Sequence, residues 1–157
     1  MKQKVYFETT VVSYFVAKKS SNTVISGHQN STKQMWKKIG KEFDAFISDL
    51  VLQEASKGNE EQAKKRLKAI ETFPALKIDD ETKELAKKLI EGHAIPKEYP
   101  EDALHIALAA VNGIDIIVTW NFSHINNPFT RIMVRQTIEN HKYACPEICS
   151  PDELLGE

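Results

Sequence analysis

The sequence predicts an α/β fold built on a parallel sheet, and three observations predict it. Short apolar runs alternate with longer amphipathic stretches along the 157 residues, the pattern of strands joined by crossover helices. One run, Ile114 to Trp120, is β-rich nearly throughout, as expected of a central strand buried on both faces. The stretch before it, Ala103 to Val111, is apolar on almost every side and broken only by His105, so it reads as a buried helix.

The elements follow in order. Lys4 to Phe7 is a short strand, followed by Glu8-Thr9-Thr10 and a helix-like apolar run from Val11 to Ala17. Residues 18–31 are rich in Ser, Asn and Thr and predict a loop, with Ser31 or Thr32 capping a short helix through Ile39 that ends at Gly40. Phe43 to Ser48 is a second strand, and Asp49 is placed to cap a helix over Leu50 to Ser56 that stops at Gly58. Asn59 with Gln62 has capping-box spacing and opens a helix with the stripe Ala63, Leu67, Ile70. Leu76 to Ile78 is a third strand, and 80–91 is an amphipathic helix through Leu85 and Leu89. Pro96 and Pro100 punctuate the next connection, and Gly113 ends the buried helix. Asn127-Pro128 starts a helix over roughly 128–141, and a last strand near 145–149 precedes the cap and first-turn proline Ser150-Pro151.

The length suits one domain, 1–157. Lys and Arg number 21 against 22 Asp and Glu, a net charge of −1, which excludes a uniformly basic nucleic-acid coat and a polyacidic tail. No apolar run approaches the ~18 residues of a membrane span, and Met1 to Glu8 carries no signal-peptide core. Cytoplasmic residence with reduced Cys145 and Cys149 is the expectation.

In right-handed βαβ units each helix starts at the carboxyl edge of the sheet, where ligands bind. Glu8 ends the first strand, Glu54 lies in the helix after the second, Asp102 heads the buried helix and Asn121 ends the 114–120 strand. Topology brings these four to one edge. Converging carboxylates repel unless a cation joins them, and hard oxygen donors suit Mg²⁺ or Mn²⁺. With no Gly-rich phosphate loop, phosphodiester hydrolysis is favoured over nucleotide binding. His105 lies one turn after Asp102 on the same helix face. Trp120 and Phe122 flank Asn121 and read first as packing residues, with base stacking the alternative. Arg131 and Arg135 have helical spacing that puts both on one side, toward phosphate or toward solvent, and His124 is a loop histidine.

Val5-Tyr6-Phe7-Glu8-Thr9-Thr10-Val11-Val12-Ser13-Tyr14 resembles the first strand and helix of PIN-domain proteins. Ile47-Ser48-Asp49-Leu50-Val51-Leu52-Gln53-Glu54 resembles their second acidic motif, and Asp102-Ala103-Leu104-His105-Ile106-Ala107 with Val118-Thr119-Trp120-Asn121-Phe122 their third acid and strand-end motif. The likeness runs on to Pro151-Asp152-Glu153-Leu154 and is greatest to the VapC-like branch, the toxins of type II toxin–antitoxin pairs. It implies a three-layer α/β/α fold around a mostly parallel sheet of four to five strands. It also implies a Mg²⁺- or Mn²⁺-dependent endoribonuclease that cuts RNA with metal-activated water. Glu8, Glu54 and Asp102 would be metal ligands, Asn121 the fourth catalytic position, and Thr10 a hydroxyl at the pocket floor. A small antitoxin protein and a homodimer are the implied partners. The family usually has Asp where Glu8 stands, and often Asp where Asn121 stands. These departures motivate an alternative: a catalytically weak PIN-like module that binds RNA or protein.

Overall fold

The computed structural model describes residues 1–156; Glu157, the last residue of the expected domain, lies outside them. Five strands form one sheet: β1 (Gln3–Phe7), β2 (Phe43–Ser48), β3 (Ala75–Leu76), β4 (Ile116–Val118) and β5 (Glu147–Cys149). Their order is β3-β2-β1-β4-β5 and every pairing is parallel. The helices are α1 (Thr9–Val16), α2 (Thr23–Trp36), α3 (Asp49–Ala55), α4 (Glu60–Ile70), α5 (Asp80–Glu91), α6 (Pro100–Val111), α7 (Pro128–Asn140) and α8 (Pro151–Leu155). The α/β architecture predicted from the alternating pattern is the one observed.

The connections β1→β2→β3 step one way across the sheet, and β3→β4→β5 return the other way. Right-handed crossovers therefore place the two sets of helices on opposite faces. The contacts agree: α1 meets α2, α3 and α4, α2 meets α8, and α5 packs on α6 and α7. The direction reverses between β1 and β4, so the crevice beyond their carboxyl ends is the switch point at which ligands bind in open α/β sheets. Val5, Tyr6 and Phe7 of β1 and Ile117 and Val118 of β4 are fully buried. Each apolar side chain removed from water there contributes about 1.5–3 kcal/mol.

Several boundaries differ from expectation. The segment 18–31 is not a loop throughout, because α2 begins at Thr23, capped by Asn22 Oδ1 accepting from the Val24 and Ile25 amides. It ends at Trp36 rather than running through Ile39. Buried polar contacts override the weak helix propensity of its Ser, Asn and Thr. Gln29 bonds Lys18 O and Ser20 N, and Thr32 accepts from the Trp120 indole. The cap of α3 is Ser48, whose Oγ accepts from Val51 N at 3.1 Å, whereas Asp49 is the first helical residue and pairs with Lys77. At Asn59 only the forward cap bond to Gln62 N forms. The reciprocal capping box is at Ser150 and Glu153 of α8. β3 pairs through 75–76 rather than 76–78, and β4 keeps three paired residues of the expected seven-residue run. Gly113 follows α6 at φ 67°, a left-handed turn that glycine enters without Cβ strain.

Candidate functional site

Glu8 leaves the end of β1 and is 4% exposed. Its Oε1 accepts hydrogen bonds from the Thr10 and Thr119 hydroxyls, the latter at 2.6 Å. Each hydroxyl also accepts a backbone N–H, Thr10 from Trp120 at 3.0 Å and Thr119 from Asn121 at 2.9 Å. An amide can only donate, so both O–H groups are directed at the carboxylate. β1 and β4 thus fix Glu8 between them. Among the described residues, no protein donor takes its Oε2.

Glu54, on α3, is held in the same fashion. Its Oε1 accepts from Thr9 Oγ1 at 2.6 Å and from His105 Nε2 at 2.7 Å. His105 comes from α6 and is 1% exposed. Its Nδ1 is 2.6 Å from the Tyr6 hydroxyl, which is 2.8 Å from Ser48 Oγ. With a neutral imidazole the chain runs in one direction: Ser48 donates to Tyr6, Tyr6 to Nδ1, and Nε2 to Glu54. With an imidazolium, Nδ1 donates to Tyr6 and Tyr6 turns to Ser48. Nε2–H faces Glu54 in both states.

Electrostatics follows the packing. Burial alone would raise the Glu54 pKa, but the hydrogen bond and charge of His105, then Thr9 and Lys57, outweigh it and hold the carboxyl below its ordinary value. Burial lowers His105, and Glu54, Glu8 and Asp102 outweigh it, so its pKa is raised. Asp102 is raised, chiefly by burial and then by the Glu8 charge, against the opposing pull of His105 and His124. Burial likewise pushes the free thiols Cys145 and Cys149 up, to about 11 and about 12. They are neutral at physiological pH and poor metal ligands.

Ligand atoms of Glu8, Glu54 and His105 lie within 4.8 Å of one another. Both nitrogens of His105 are already engaged by Tyr6 and Glu54, so the imidazole orients Glu54 rather than offering a lone pair. Asp102 stands beside this group. Its Oδ1 accepts from Asn121 Nδ2 at 3.3 Å, and its Oδ2 is 3.2 Å from His124 Nδ1. Asn121 Oδ1 also accepts the His124 amide at 3.0 Å. The four positions expected at one edge are therefore joined there by hydrogen bonds and charge. The buried Glu8 and half-buried Glu54, each with one oxygen unbonded among the described residues, and Asp102, whose ionisation burial and the Glu8 charge oppose, form a donor set that fits a hard divalent cation.

Arg131 and Arg135 are not brought to the acids. Helix α7 runs beside the outer strand β5, so Arg131 bonds Asn126 Oδ1 while Arg135 pairs with Glu139 and with Glu147 of β5 at 3.1 Å. Sequence reasoning missed Tyr6, Thr9, Ser48 and Thr119 as supporting residues and left His124 without a partner. Alternation along β1 and β4 marks Tyr6 and Thr119 only as strand residues.

These features define a class: a parallel-sheet α/β domain with a carboxylate site at its topological switch point. A family model described as the PIN domain matches residues 5–125, a span that contains Glu8, Glu54, Asp102 and Asn121. The chain belongs to the PIN domain family. No curated protein matches it.

Proposed function

We propose that this chain is a Mg²⁺- or Mn²⁺-dependent endoribonuclease of the VapC-like branch, the toxin of a type II toxin–antitoxin pair. PIN domains are generally metal-dependent nucleases. The observation that carries the reading here is the pair Glu8 and Glu54, each with one oxygen held by two protein donors and the other without a donor among the described residues. Glu8, Glu54 and Asp102 would hold the cation. When bound, such an ion polarises a phosphodiester oxygen and lowers the pKa of a coordinated water.

The chain's own residues do the positioning. Thr10 and Thr119 fix Glu8, and Thr9 and His105 fix Glu54. The Asn121 amide holds Asp102, and His124 stands on the other oxygen of that carboxylate. Sequence likeness supports the toxin reading, and with it a small antitoxin and a homodimer as partners. Incubation of the purified chain with RNA and Mg²⁺ or Mn²⁺, beside Asp102→Asn, tests the site. Metal-stimulated cleavage lost in the variant is expected, and equal cleavage by both proteins rejects the assignment. RNA binding without cleavage would favour a binding module instead. A short neighbouring reading frame with a DNA-binding pattern is expected for the toxin reading.

A further inference from the structure

We propose that Tyr99 and Phe122 are base-stacking platforms for the nucleotides flanking the cut. The proposal rests on the nuclease reading above. Three aromatic residues stand out as exposed among the described residues: Tyr99 at 42%, Phe122 at 47% and Phe129 at 84%. Phe129 is on α7, beside β5. The other two flank the acids. Phe122 follows Asn121, whose Nδ2 bonds Asp102 Oδ1. Tyr99 stacks on His124, ring centroids 3.7 Å apart, and His124 Nδ1 is 3.2 Å from Asp102 Oδ2. The Asp102 carboxylate is therefore in contact with the residue on which Tyr99 stacks and with the residue that precedes Phe122.

Each ring packs on protein side chains and is still exposed. Tyr99 lies on the His124 imidazole at an interplanar angle of 24°. Phe122 meets Trp120 and His28 edge-on at 6.0 and 6.1 Å. Trp120 is itself immobilised, because its ring lies 4.0 Å from that of His28 and its Nε1 donates to Thr32 at 2.8 Å. A ring fixed in this way loses little freedom on binding, which favours stacking. A base offers its face only when it is outside a helical stack, so platforms of this kind select unpaired RNA.

The test uses the full chain and an RNA hairpin carrying 2-aminopurine in its loop beside the cut, with Ca²⁺ in place of Mg²⁺ for binding and Mn²⁺ for cleavage. Wild-type protein is expected to quench the loop probe and not the same sequence in a duplex. Tyr99→Leu and Phe122→Leu should each weaken binding by roughly 5- to 150-fold, the span of one base–aromatic stack. Tyr99→Phe and Phe122→Trp should restore it, which separates stacking from misfolding. Leucine variants that bind and quench like wild type overturn the proposal, as does equal cleavage of loop and duplex. The two readings fail separately. Quenching lost in the leucine variants, with no cleavage by wild type, rejects the nuclease and supports stacking. Cleavage with unchanged quenching rejects stacking and keeps the nuclease. Variants that lose only a protein partner, with RNA binding intact, also overturn it.

Discussion

His105 sits between Tyr6 and Glu54, and replacing either neighbour tests its positioning role. Tyr6→Phe keeps the ring and removes the hydroxyl, leaving Ser48 Oγ and His105 Nδ1 each one partner short in a fully buried site. The expected loss is about 1–3 kcal/mol, read as a lower urea midpoint at unchanged slope. Cleavage should fall with it, because Glu54 is then held less firmly. The same trio predicts a pH window in the metal-free protein. Glu54 is lowered on folding, so its stabilisation is present above about 4.5, the ordinary carboxyl value, and lost as pH falls through the folded value. His105 is raised, so its stabilisation is full below about 6.5, the ordinary imidazole value, and lost as pH rises through the folded one. The stability difference between wild type and Glu54→Gln should therefore be largest from about pH 4.5 to 6.5. Thermal melts across pH 3–9 check it, and a difference independent of pH would contradict the charge pairing.

At the scale of elements, α2 carries the clearest test. Asn22→Ala removes the acceptor for two otherwise unbonded amides and should cost about 1 kcal/mol, measured by chemical denaturation. Because α2 carries His28 and Thr32, which hold Trp120, a looser α2 should also blunt tryptophan fluorescence changes on RNA binding. The same helix shows where sequence reading stops. Phe43–Ser48 is a short, mostly apolar run and 80–91 has a helical stripe, and they appear with matching bounds. Residues 18–31 have no such pattern. Their helix depends on Gln29, Thr32 and Met35 being buried by distant chain, which local propensity does not encode. Glu8 was legible for a related reason, since a carboxylate just after a strand is conspicuous, whereas Glu54 and Asp102 stand on helices and were picked out by motif likeness. Thr119 and Tyr6 were not, since hydroxyls in strands have no role until the neighbouring strand is known. Arg131 and Arg135 stayed open between phosphate and solvent, because spacing shows that they share a side but not which strand lies beside it.

For the whole molecule, a net charge of −1 hides carboxylates gathered at one crevice. Neutralising them should stabilise the fold. Mn²⁺ at a hundred times its dissociation constant should add about 2.7 kcal/mol, seen as a rise in Tm that EDTA reverses. Asp102→Asn removes a charge that burial and Glu8 oppose. The metal-free variant should therefore match or exceed wild type within about 1 kcal/mol, yet lose most of the Mn²⁺ response. A variant that keeps the full response would remove Asp102 from the cation site. The strand order also sets a timetable. β1, which precedes the other four strands in sequence, lies between β2 and β4, and Glu8 meets Thr119 across 111 residues of chain. Contacts this distant in sequence form late. A chain folded only through β3 therefore carries Glu8 and Glu54 without the Thr119 and Asn121 groups that complete the crevice. The crevice is completed only once β4 has docked against β1, so no segment of the chain short of β4 contains the whole Glu8 pocket.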